Sequence, residues 1–181
     1  MKTVKPTVAH IVTPPATHMD LALLCLEHGS HVYVEKPFTL RFSEANTVLE
    51  AAQKAGRLVC AGHQLLYELP ARGLAESLPL IGRVVHVESY FSFKTVRKSS
   101  DGRSLMPPID QLMDILPHPV YTLLNVLSAQ VETAPLLRSL LVRPEGEVHA
   151  LLQAGEATGT LVVTLRGRPI DSYLRVVGTT G

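Results

Sequence analysis

A chain of 181 residues, 46% of them apolar, has the hydrophobic mass for one domain or two small ones. Its 17 basic and 16 acidic side chains nearly cancel, which speaks against a bulk electrostatic partner such as duplex nucleic acid or an anionic membrane. No apolar run approaches the ~20 residues of a membrane span, and prolines interrupt the opening MKTVKPTVAHIVTPPA before it reaches signal-peptide form, so a cytoplasmic protein is expected.

The predicted elements begin with a β-branched strand over residues 8–13, stopped by Pro14-Pro15. Helical spacing of Leu21, Leu24 and Cys25 predicts a helix over 17–28, with Gly29 as its stop. A second strand follows at His31–Val34, then a helix capped by Ser43 and ended at Gly56, then a third strand at 58–61. Apolar strands alternating with helices predict a parallel sheet covered on both faces, the half of a doubly wound α/β domain.

After Gly62 the texture changes. A helical stretch at 68–79 leads to a long strand at 83–93, a loop at 94–110 and a leucine-rich helix at 117–127. Strand-like runs at 136–142, 148–153, 158–165 and 172–177, separated by turns with glycine, have the pattern of an antiparallel sheet. The expected fold class is therefore α/β plus α+β, with domains at 1–62 and 63–181.

Cys25 and Cys60 sit among apolar neighbours and read as buried thiols. None of the eight histidines lies in an H-x-x-x-H pair and no cysteine accompanies them, so no metal site is expected. Lys94, Arg97, Lys98 and Arg103 make a basic loop without interleaved aromatics, which reads as a solvated loop near a site mouth rather than a nucleic-acid surface.

In a parallel sheet the strand carboxyl ends share one edge, and ligands bind outside it. Three polar clusters end the three strands: Thr13-Pro14-Pro15-Ala16-Thr17-His18, Glu35-Lys36-Pro37 and Gly62-His63-Gln64. Taken alone, Glu35-Lys36-Pro37 is a surface ion pair before a turn; beside the other two clusters it reads as part of a site. Pro37 confines Lys36 to extended backbone or, in the cis form, a sharp turn. Further on, Asp114 and His118 stand four apart with Tyr121 three beyond, one face of a helix. Taken alone, that segment reads as a helix start, with Asp114 as cap and two prolines in the first turn.

TPPATH followed at this spacing by HVYVEKP resembles the Gfo/Idh/MocA family, that of glucose–fructose oxidoreductase and inositol dehydrogenase. The resemblance is clear over residues 6–128 and weaker beyond, where VVGTTG is similar to a family stretch. It implies an NAD- or NADP-dependent hydride transfer at a hydroxyl-bearing carbon of a sugar or cyclitol. Lys36, Asp114 and His118 are the implied catalytic residues, with His118 accepting the hydroxyl proton and Asp114 positioning the substrate; Tyr121 joins them as a substrate contact. Thr13, Pro14, His18, Glu35, Lys36, His63 and Gln64 are the implied cofactor-binding residues. Homo-oligomers through the second domain's sheet are implied as well.

The sequence departs from the family in three ways. It has no G-x-G-x-x-G, the loop that cradles the dinucleotide pyrophosphate. Pro107–Leu112 and Tyr121 replace glycines and an aspartate common near the Asp…His segment. The chain resembles a family member lacking the first half of its nucleotide domain and the end of its second. A non-catalytic sugar-binding or dimerisation module is the alternative expectation.

Overall fold

The computed structural model describes residues 4–93, 106–129 and 134–181, so the basic loop of Lys94, Arg97, Lys98 and Arg103 lies outside the described residues. The chain divides into two compact units, residues 1–64 and 65–181.

In the first unit, β1 (Val8–Ile11), β2 (His31–Val34) and β3 (Val59–Ala61) form a parallel sheet in the order β1-β2-β3. Two helices make the crossovers, α1 (His18–Glu27) and α2 (Phe42–Ala55). α1 stops at Gly29, whose φ of 82° takes the left-handed conformation while Ser30 N–H returns to Cys25 O at 3.0 Å. α2 stops in the same manner at Gly56, φ 62°. The start of α2 differs from the sequence reading. Ser43 is not its cap; the Glu44 carboxylate accepts the N–H groups of Leu40 and Arg41 at 3.1 and 3.2 Å. A longer side chain in the first turn reaches back to the backbone N–H groups at the helix entry, the glutamate half of a capping box.

The sheet is covered on one face, not both, among the described residues of this unit. Both crossovers advance in one direction across the sheet, and right-handed connections then place both helices on the same side. Ile11, Val32 and Val34 from the strands bury against Ala22, Cys25, Leu26, Val48 and Ala52 from the helices. The opposite face carries His10 stacked on Tyr33, ring centroids 5.1 Å apart. Cys25 is buried as expected, whereas Cys60, on β3, is only partly so.

The second unit has α3 (Leu69–Ser77), β4 (Val84–Ser92), α4 (Pro108–Ile115), α5 (Pro117–Ser128) and strands β5 (Leu136–Arg143), β6 (Glu147–Ala154), β7 (Ala157–Thr164) and β8 (Asp171–Gly178). Its sheet runs β5-β6-β7-β4-β8 and is antiparallel except where β4 pairs with β7. β5, β6 and β7 form consecutive hairpins. β4, formed much earlier in the chain, enters between β7 and β8. Alternate residues Val87, Leu161, Val163 and Val148 face Leu112 of α4 and Leu123, Val126 and Leu127 of α5, giving one core. Among the described residues the other face stays open and carries Tyr90 stacked on Tyr173 and His86 bonded to Thr158. The expected combination of a Rossmann-like parallel unit and an open, mainly antiparallel α+β unit is present.

Two expectations in this unit change. Residues 108–110, read as loop, open α4, and Asp114 lies inside α4 rather than capping the next helix. Pro117 opens α5 as the sequence reading expects, and Leu116 before it keeps helical angles (φ −50°, ψ −34°), so α4 is followed by α5 with a single residue between them. Proline at a first position lacks only an N–H that would be unpaired there anyway.

Candidate functional site

The parallel register of β1, β2 and β3 brings their carboxyl ends to one edge of the first unit. Glu35 N–H bonds to Ile11 O at 2.9 Å and Gly62 N–H to Val34 O at 2.7 Å, so pairing continues into the loops themselves. Thr13 and Pro14, Glu35 and Lys36, and His63 and Gln64 therefore lie on neighbouring loops of one edge. Thr13 and Pro14 are exposed, and Thr13, Thr17 and the Pro14 carbonyl form a short relay: Oγ1 to Oγ1 at 2.7 Å, then Thr17 Oγ1 donating to Pro14 O at 2.8 Å. The Glu35 carboxylate accepts the Lys36 N–H at 3.0 Å, which fixes that turn, and the Lys36–Pro37 peptide is cis. Lys36 is half-buried.

His18 differs from the rest of the set. It is 1% exposed, with Nδ1 2.9 Å from Pro37 O and Nε2 2.8 Å from Thr13 O. Its ring ties the first edge loop to the second from beneath. Both ring nitrogens thus face backbone carbonyls of the loops expected to receive the cofactor. His63, at the end of β3, has its imidazole pKa pushed below the ordinary 6.5 by burial, so the neutral ring is favoured. A neutral polar ring beside Gln64 suits contact with a neutral ligand group.

In the second unit, α4 and α5 carry Asp114, His118 and Tyr121. Asp114 lies in the last turn of α4 and His118 in the first turn of α5, whose opening bond runs from Val120 N–H to Leu116 O at 3.2 Å. His118 Nδ1 lies 2.9 Å from the Tyr121 hydroxyl, with the rings edge to face at 5.6 Å. The same hydroxyl accepts the Leu65 N–H at 3.2 Å. Tyr121 is 7% exposed. Tyr121, expected as a substrate contact, is a largely buried neighbour of the His118 ring. An i, i+3 His…Tyr pair on an apolar helix face was the available sequence signal, and burial of the ring was what the sequence could not supply.

Among the described residues no group of three His, Cys, Asp or Glu side chains could hold a metal ion, and no helix is long and apolar enough to cross a membrane.

A parallel α/β unit with polar strand ends, followed by an α+β unit with an open, mainly antiparallel sheet, defines a two-unit architecture of Rossmann-like plus α+β type. Residues 1–63 match the oxidoreductase family with an NAD-binding Rossmann fold, GFO_IDH_MocA. Over these residues the chain carries that family's Rossmann unit. An uncharacterised oxidoreductase of Schizosaccharomyces pombe is 30% identical over 139 residues, 68% of this chain and 37% of that protein. The UDP-N-acetylglucosamine 3-dehydrogenase of Acidithiobacillus ferrooxidans is 32% identical over 108 residues, 60% of this chain and 32% of that protein. Among solved structures, an oxidoreductase from Yersinia pestis superposes with a TM-score of 0.73 at 28% identity, covering 95% of this chain and 50% of that one. A dehydrogenase from Chromobacterium violaceum shares the fold at a TM-score of 0.78 and 19% identity, covering 98% and 52%. The chain thus spans about a third of the length of these curated relatives and about half of the solved ones.

Proposed function

We propose that the chain serves an NAD- or NADP-dependent oxidoreductase that moves a hydride between nicotinamide and a hydroxyl-bearing carbon of a sugar or cyclitol. The observation that supports this most directly is His118 in the first turn of α5, its Nδ1 2.9 Å from the hydroxyl of the buried Tyr121. A base whose ring is held in place suits proton removal from a hydroxyl.

In this reading His118 accepts the hydroxyl proton, and Asp114 positions the substrate. Lys36, on the edge of the first unit, supplies a cation of the kind that stabilises developing negative charge. Thr13, Pro14, Glu35, His63 and Gln64 receive the nicotinamide end of the cofactor. That cofactor, when bound, supplies the acceptor or donor of the hydride. The residues present fit that end of the dinucleotide: the exposed Thr13 and the half-buried Lys36 lie on neighbouring loops, and His18 holds Thr13 and Pro37 in place. A pyrophosphate cradle of the G-x-G-x-x-G type is not encoded in these 181 residues.

Homo-oligomers form through the second unit's sheet. Every residue of β5 is exposed, and Leu136, Leu137, Leu140 and Leu141 are 48–56% accessible, an apolar edge that a second copy would cover. A cytoplasmic location goes with this reading. The missing glycine loop and that bare edge favour one second reading, a non-catalytic sugar-binding or dimerisation module. Calorimetric titration with NADH and NADPH, alongside Lys36→Ala, separates the two. Micromolar binding weakened by the substitution supports the oxidoreductase, and the absence of heat from a folded chain supports the module.

A further inference from the structure

We propose that the groove between α3 and α5 in the second unit is a subsite for an apolar, aryl-sized substituent on the substrate. This rests on the reading of His118 as the residue nearest the reacting hydroxyl. The groove encloses a cavity of about 390 Å³, within the range of pockets that hold small organic ligands. Leu74 of α3, Leu78 just beyond it and Val126 of α5 form its walls, with Phe91 of β4 and Leu174 of β8 among its lining.

Two features connect this cavity to His118. On α5, Thr122 and Asn125 line it and stand four and seven residues after His118, the same helical stripe. At 1.5 Å of rise per residue they lie about 6 and 10 Å further along the axis. A substrate whose reacting ring sits at His118 would extend its next group into the cavity. The second link is Leu65, which lines the cavity and donates its N–H to the Tyr121 hydroxyl that holds His118.

The lining chooses the chemistry. The Thr122 hydroxyl already donates to the carbonyls of His118 and Pro119, at 3.0 and 3.2 Å. Hydroxyls of a bare polyol placed against Leu74, Leu78, Phe91 and Val126 would lose water without regaining enough partners. A flat or branched apolar group loses little there, and the exposed Glu68, Asn125, Ser172 and Tyr173 supply the polar part of the lining. The fitting substrates are therefore glycosides or cyclitols with an apolar aglycone, not free sugars.

The test is an NMR titration of the full chain, without cofactor, using 4-nitrophenyl β-D-glucoside against D-glucose. Saturable shifts of the Leu74, Asn125 and Leu174 amides by the aryl glucoside, with affinity at least tenfold above that for glucose, are expected. Ala75, exposed on α3 and part of the lining, offers a filling variant that leaves the core alone: Ala75→Trp should weaken aryl glucoside binding at least tenfold with unchanged circular dichroism and melting. Equal affinities, shifts elsewhere only, or indifference to Ala75→Trp would overturn the proposal. If NADH binds and Lys36→Ala weakens it while the aryl glucoside misses the cavity, the subsite falls and the oxidoreductase reading stands. Binding in the cavity without any cofactor response does the reverse.

Discussion

Tyr121→Phe isolates one oxygen atom. The ring stays in the core, and what is lost is the bond to His118 Nδ1 at 2.9 Å and the bond from Leu65 N–H at 3.2 Å. Each such bond contributes about 0.5–1.5 kcal/mol net, and a buried group left unpaired costs about 1–3 kcal/mol. Leu65 and His118 are both half-buried, so water recovers part of the loss on each. The expected cost is then about 2 kcal/mol, or about 4–8 °C of melting temperature at the ~2–4 °C per kcal/mol usual for a chain of this size. Thermal unfolding followed by circular dichroism measures the cost, and long-range ¹⁵N–¹H NMR of the His118 imidazole measures the lost orientation. Both should change together, because one hydroxyl makes both bonds. A melting temperature within 1 °C of the parent, together with unchanged imidazole nitrogen shifts, would refute the account of Tyr121 as the group that holds His118.

Leu26→Ala, at a site 2% exposed, should cost about 2–5 kcal/mol, whereas Leu24→Ala on the same helix, 43% exposed, should cost under about 1 kcal/mol; urea unfolding of both tests which face of α1 is buried. Glu44→Ala removes the acceptor for Leu40 and Arg41 N–H and should lower stability by about 0.5–2 kcal/mol, with Glu44→Gln recovering part of it, in the same assay. His63 is held below its ordinary pKa of 6.5, so the unfolded chain binds the proton more readily and stability rises with pH through that region. Its contribution is complete above 6.5 and declines as pH falls below it; urea midpoints from pH 7.5 to 5 should fall less steeply in His63→Gln than in the parent. Substituting Leu137 and Leu141 of β5 by lysine, which places a like charge on an exposed apolar edge, should reduce self-association in sedimentation velocity runs; an unchanged distribution would remove β5 from the interface.

Much of this molecule was legible before any coordinates. Val32 and Val34 alternate with His31 and Tyr33 along β2, and the buried pair is the apolar pair. Gly29 and Gly56 sit at the two helix ends because only glycine adopts the left-handed turn without steric cost. Three polar clusters following three strands were enough to place Thr13, Lys36 and His63 on one edge, since parallel pairing leaves no other arrangement. These features are local: spacing, turn chemistry and strand direction are properties of short segments.

Tertiary structure decided what depends on residues far apart in the chain. It set both α1 and α2 on one face of the parallel sheet, through the handedness of two successive crossovers. It inserted β4 between β7 and β8, a pairing made by residues more than 60 positions apart that no local pattern encodes. It turned His18 inward onto two carbonyls and buried Tyr121 against His118. The sequence by itself determined which residue types stand at the strand ends and on the α4–α5 path. Packing decided which way those side chains turn, because burial of a polar ring depends on the partners that long-range contacts bring to it.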